Sequence, residues 1–101
     1  MKESALCPRL AKAMELIGKR WTALIIYQLL DGPQRFNAIE SALPISGRLL
    51  SERLKELEKE NIVERKVYSE VPIRVEYSLT EKGSSLEGAV REIETWAQKW
   101  I

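Results

Sequence analysis

Arg48, Ser51 and Lys55 fall on the side of residues 47–59 (GRLLSERLKELEK) that lacks leucine, while Leu50, Leu54 and Leu57 recur at helical spacing on the other. On a helix this pattern sets an apolar stripe against a core and turns a guanidinium, a hydroxyl and an ammonium toward solvent. Arginine can bond guanine O6 and N7 together, and serine or lysine can add a base or phosphate contact, so the chemistry on offer is readout of a nucleic-acid groove. Ser46 is a good N-cap and stands where a hydroxyl and a helix N-terminus can meet a phosphate. Gly47 has no side chain to obstruct close approach. Arg53, at the edge of the stripe, either reaches a phosphate or pins a glutamate of the neighbouring helix. Arg35 either meets a phosphate or bonds Asp31. The plain alternative for the whole segment is an amphipathic surface helix.

Other chemistry is scarce. The chain has no histidine, which excludes Ser-His-Asp and Cys-His sites and any histidine-bearing metal cluster. A single cysteine cannot make an intrachain disulfide or a thiolate zinc site within one chain. No P-loop or GxGxxG is present. The carboxylates mostly fall beside Lys or Arg at helix-surface positions, as in Glu52, Glu56 and Lys59, where solvated, salt-bridged faces are the simpler reading. No enzyme, cofactor or metal is expected. Cys7 precedes Pro8 near Lys2, Arg9 and Lys12. Nearby cations raise the thiolate fraction of a cysteine, but from chemistry alone a half-buried small hydrophobe is the simpler reading.

The elements that must position these groups are legible from periodicity. Residues 9–18 place Leu10, Ala13, Met14 and Ile17 at helical spacing, with Gly18 ending or kinking the helix. Residues 20–30 (RWTALIIYQLL) are apolar almost all round, which predicts a central buried helix closed by Asp31-Gly32-Pro33. Residues 35–42 predict a short third helix with Phe36 and Ile39 inward, followed by a turn at Leu43-Pro44-Ile45 and the helix over 47–59, with Asn61 as its left-handed C′ residue. Residues 62–68 and 73–79 alternate as strands around a Ser69–Pro72 tip. Lys66, Tyr68 and Arg74 surround that tip, either along a phosphate track or paired with Glu64, Glu70 and Glu76. Thr80 caps a last helix carrying Leu86, Val90, Ile93, Trp96, Ala97 and Trp100. The order is that of a winged helix-turn-helix. The fold class is therefore α+β, mostly helical, in one domain over residues 1–101, with extra N- and C-terminal helices.

A domain of 101 residues can hardly cover both terminal apolar faces. Leu10, Met14, Leu86, Val90, Ile93, Trp96 and Trp100 are thus expected at the interface of a homodimer, which would set two reading helices about one DNA turn apart. The net charge is only +1, with a basic front (Lys2, Arg9, Lys12, Lys19, Arg20) and an acidic tail (Glu81, Glu87, Glu92, Glu94). Near-neutrality keeps a protein-interaction module in play beside a DNA binder whose cations gather on one face. The N-terminus has no apolar h-region and no run approaches a membrane span, so a cytoplasmic chain with no membrane partner is expected.

The motifs CP near the N-terminus, IGKRW, LLDGPQRF, LSERLKELE and VEYSLTEKG, in this order and at these separations, closely resemble the HxlR family of bacterial transcription regulators, a branch of the MarR-like winged helices. The resemblance runs from Cys7 to about Trp100 and is nearest to the redox- and quinone-responsive members from Bacillus-type bacteria. It implies a homodimeric regulator, a repressor in the reading adopted here, bound to an inverted-repeat operator in double-stranded DNA. It implies that the helix holding Ser46 to Lys59 reads the major groove, that Tyr68–Pro72 is the wing, and that the first and last helices dimerise. It also implies redox or electrophile sensing at Cys7, by adduct formation with a quinone or an aldehyde or by disulfide formation with an oxidant. Some sensing members have a further cysteine near the C-terminus; this chain has none, so a protein disulfide here would join subunits. A regulator sensing a non-covalent ligand between Trp21, Tyr27 and the last helix is the remaining variant.

Overall fold

The computed structural model describes residues 7–101. Lys2, one of the cations read as lying near Cys7, is outside them. Helix α1 spans Pro8–Ile17. Proline suits the first helical position because its missing N–H would have no intrahelical partner there. Helix α2 spans Thr22–Leu29 rather than starting at residue 20. The reason is Trp21, whose φ of 81° is left-handed and cannot propagate a right-handed helix. Thr22, Ile25, Ile26 and Leu29 are buried, but Leu24 is 48% exposed, so α2 is central without being buried all round. Gly32 takes the positive φ that closes this segment.

Helices α3 (Phe36–Ala42) and α4 (Gly47–Lys59) form the helix-turn-helix. Ser46 Oγ accepts from Leu49 N–H at 3.1 Å, capping α4. At the other end Asn61 has φ 61°, Asn61 N–H donates to the Glu58 carbonyl and Ile62 N–H to the Leu57 carbonyl, which satisfies the last carbonyls and releases the chain into the sheet. Strands β1 (Val63–Tyr68) and β2 (Arg74–Leu79) pair antiparallel with Val63 opposite Leu79 and Tyr68 opposite Arg74. Gln34 adds two backbone bonds to Tyr77, tying the α2–α3 connection to the sheet.

The single last helix read from the sequence is two: α5 (Glu81–Ser84) and α6 (Glu87–Trp100). Thr80 caps α5 as expected, its Oγ accepting from Gly83 N–H at 3.0 Å. Gly83 lies so close to the Ile62 carbonyl that no Cβ fits. Leu86 N–H then bonds the Gly83 carbonyl and Ser85 Oγ donates to the Lys82 carbonyl, a tightened turn that separates the two helices.

The core is built by α2, α3, α4 and the start of β1, with Ile25, Ile26, Ile39, Leu50, Leu54 and Leu57 almost wholly inaccessible. Neither α1 nor α6 contributes a buried residue. Among the described residues no helix is long and apolar enough to cross a membrane.

Candidate nucleic-acid interface

The core sets the rotation of α4. Leu50, Leu54 and Leu57 are at most 1% exposed. Burying a leucine is worth about 1.5–3 kcal/mol, so turning α4 over would cost roughly 5–9 kcal/mol. At about 100° per residue, Arg48 and Lys55 then project nearly opposite the stripe and Ser51 lies at its flank. The burial agrees: the Arg48 side chain is 91% exposed and Lys55 is exposed, while Ser51 is half-buried. Arg48 meets only Glu52, at 3.5 Å along the helix, and Lys55 enters no ion pair among the described residues.

Two cations turn out to be committed elsewhere. Arg53 is 17% exposed; its Nε donates to the Arg20 carbonyl at 3.2 Å and its Nη1 pairs with Glu56 at 3.4 Å. It ties α4 to the α1–α2 connection, and its glutamate stands on its own helix rather than a neighbouring one. Lys19 completes this group, 3.3 Å from Glu56. Arg74 is clamped between Glu70, at 2.8 Å, and Glu76, and lies over the Tyr68 ring at 3.9 Å. Of the two readings of Arg74, the structure has the paired one. Its hydrogen bond holds the Glu70 carboxyl below the ordinary glutamate range, and the two carboxylates raise the guanidinium in turn. Tyr68 is thereby half-covered. Lys66 remains mostly exposed with Glu64 at 3.9 Å, and Arg35 is exposed beside α3 with no bond to Asp31.

Two groups were not legible in sequence. Arg65, exposed on β1, enters no ion pair among the described residues. Glu40, half-buried on α3, reaches the first residue of α4: a Cβ at Gly47 would stand 2.7 Å from Glu40 Oε2. The space at Gly47 is therefore occupied by a carboxylate rather than simply open.

The terminal helices carry the other expected surface. Leu10 and Met14 on α1 and Ile93, Trp96 and Trp100 on α6 are all more than half exposed. Leu86 and Val90 are not part of that free face; they pack against the core of their own chain. Tyr27 Oη donates to Glu94 at 2.6 Å, which fastens α6 to α2, and this bond raises the Tyr27 phenol above its ordinary value. Cys7 is exposed at the N-cap of α1. A cavity of about 1010 Å³ lies between α1 and the α5–α6 turn, lined by Arg9, Lys12, Leu16, Ile17, Ile62 and Leu86 among others. Neither Trp21 nor Tyr27 lines it.

Comparison with known proteins extends these observations. Residues 16–101 match the family of HxlR-like helix-turn-helix proteins. An uncharacterised HTH-type transcriptional regulator of Bacillus subtilis, YvaP, is 57% identical over 102 residues, covering 100% of this chain and 94% of YvaP. The reduced form of the transcriptional regulator YodB from B. subtilis superposes with a TM-score of 0.83 at 49% identity, covering 94% of each chain. The quinone-bound form of YodB superposes with a TM-score of 0.80 at 47% identity, covering 94% of this chain and 100% of that one.

Proposed function

The chain belongs to the HxlR-like helix-turn-helix family, and from that membership we propose that it is a sequence-specific DNA-binding transcriptional regulator, a cytoplasmic repressor acting as a homodimer on an inverted-repeat operator. One observation carries the reading: α4 buries its leucine stripe and thereby presents Arg48 and Lys55 beside a two-stranded wing. Ser46, Gly47 and Ser51 complete the face of α4 toward the duplex, and Arg35 and Lys66 flank it as phosphate contacts. The exposed faces of α1 and α6 meet their copies across a two-fold axis, which spaces the two reading helices by about one helical turn, roughly 34 Å.

Cys7 is the sensor in this reading. It is exposed at the start of α1, an element of the dimer seam. A quinone adds to its thiolate, forming one carbon–sulfur bond with no leaving group. Diamide instead joins two Cys7 thiols of a dimer as a disulfide and is itself reduced to the hydrazine. Either product alters α1 and moves the two reading helices off their common spacing. That YodB, similar along nearly the whole chain, has a quinone-bound form supports a quinone as the reagent in this reading.

The test is binding to a duplex that the wild-type chain enriches from a randomised pool. Cys7→Ser should bind that duplex normally and hold it in the presence of quinone or diamide. A Cys7→Ser chain that still lets go under those reagents removes the thiol from the mechanism. Affinity that does not fall with rising salt would favour a protein-interaction module, since phosphate contacts release counterions.

A further inference from the structure

Glu40 stands at the mouth of α4. Its neighbours on α3 are anchored, Ile39 in the core and Phe36 against it. That anchoring carries the carboxylate across the turn to Gly47, where a Cβ would come 2.7 Å from Glu40 Oε2 and 3.9 Å from the edge of the Phe36 ring. None of the ion pairs among the described residues engages this carboxylate. A negative charge thus lies beside the first turn of the helix whose exposed side bears Arg48. A DNA phosphate brought to that turn meets a like charge, whereas an exocyclic amine of a base meets a free acceptor.

We propose that Glu40 is a specificity-determining residue of the interface: its carboxylate turns backbone phosphate away from the start of α4 and accepts a hydrogen bond from cytosine N4 when α4 enters a matching major groove. The inference rests on the reading of α4 as the groove-binding helix. Glycine at position 47 then has a defined purpose, because it leaves room for the carboxylate. A methyl group there displaces only the end of a flexible side chain, so Gly47→Ala folds, and alanine also suits a helix better than glycine.

The experiment uses the full chain and two probes: the duplex enriched by the wild type, and a scrambled duplex of the same base composition. Loss of one repelling charge should raise the affinity of Glu40→Ala for the scrambled duplex about threefold at moderate salt. Loss of the amine contact should weaken its affinity for the enriched duplex about fivefold. Repeating the enrichment with Glu40→Ala should erase a cytosine preference at one position of each half-site. Gly47→Ala displaces the same carboxylate, so it should lower the ratio of the two affinities more in the wild-type background than in the Glu40→Ala background; equal effects in both would uncouple Gly47 from Glu40. Equal factors on both duplexes, or an unchanged base preference after enrichment, overturn the proposal while leaving α4 as the reading helix. A wild-type chain that enriches no duplex overturns the reading of α4, and the role of Glu40 with it.

Discussion

Replacing Arg48 by alanine separates the interface from the fold, because the structure bounds each contribution in advance. The side chain is 91% exposed and its only partner among the described residues is Glu52, at 3.5 Å one helical turn away. An exposed pair of this kind is worth about 0.3–0.5 kcal/mol. Arginine and alanine are both good helix formers, and alanine recovers part of even that small loss. For a domain of this size half a kcal/mol moves the melting temperature by about 2–4 °C. A bidentate contact to guanine, by contrast, contributes about 1–3 kcal/mol of discrimination, or roughly 5- to 150-fold per half-site. A two-fold dimer loses it twice. Fluorescence anisotropy on the enriched duplex should therefore show a large loss of affinity in a chain whose thermal melt is almost unchanged. On the scrambled duplex the loss should be small, and the salt slope should stay near the wild-type value. Equal losses on both duplexes, with a salt slope shallower by about one, would make Arg48 a phosphate contact. No loss on either would remove α4 from the interface altogether.

Arg53→Ala should behave in the opposite way, costing about 1 kcal/mol in urea denaturation through its lost bonds to Arg20 and Glu56 while leaving the salt slope of DNA binding alone; a normal urea midpoint with a shallower salt slope would return Arg53 to the phosphates. Glu70 has its folded pKa lowered by the Arg74 hydrogen bond, so the stabilisation of the wing is complete above the ordinary glutamate value and is lost as pH falls through the lowered one. The Tyr68 ring resonances should accordingly titrate with a midpoint below the ordinary glutamate value, and a midpoint at or above that value would contradict the clamp. Ile93→Lys places a charge on the 61% exposed centre of the α6 face, and sedimentation should find monomers that keep the wild-type helical content; an unchanged dimer would put the seam elsewhere.

Local physics was enough for much of this molecule. The bounds of α4, its leucine stripe, the Ser46 cap, the left-handed Asn61 and the pairing of the hairpin all follow from spacing and from residues that favour one backbone conformation. Each depends on neighbours within a few positions of the chain, so one-dimensional order carries it. Two of the motifs that resemble the HxlR family, LSERLKELE and VEYSLTEKG, fall on α4 and the second strand of that hairpin, and the family match over residues 16–101 covers both. Which cations are free was decided elsewhere. Arg53 and Arg74 look as available as Arg48 and Lys55 on a helical or strand pattern, yet one is spent on the carbonyl of Arg20, 33 positions away, and the other on two carboxylates of its own hairpin. The left-handed Trp21, the outward Leu24 and the divided last helix likewise answer to how elements meet rather than to their own composition. Glu40 reaches Gly47 only because α3 and α4 cross at the angle their shared core imposes. Side-chain period dictates the face on which a residue lies; only packing of one element on another dictates what waits on that face.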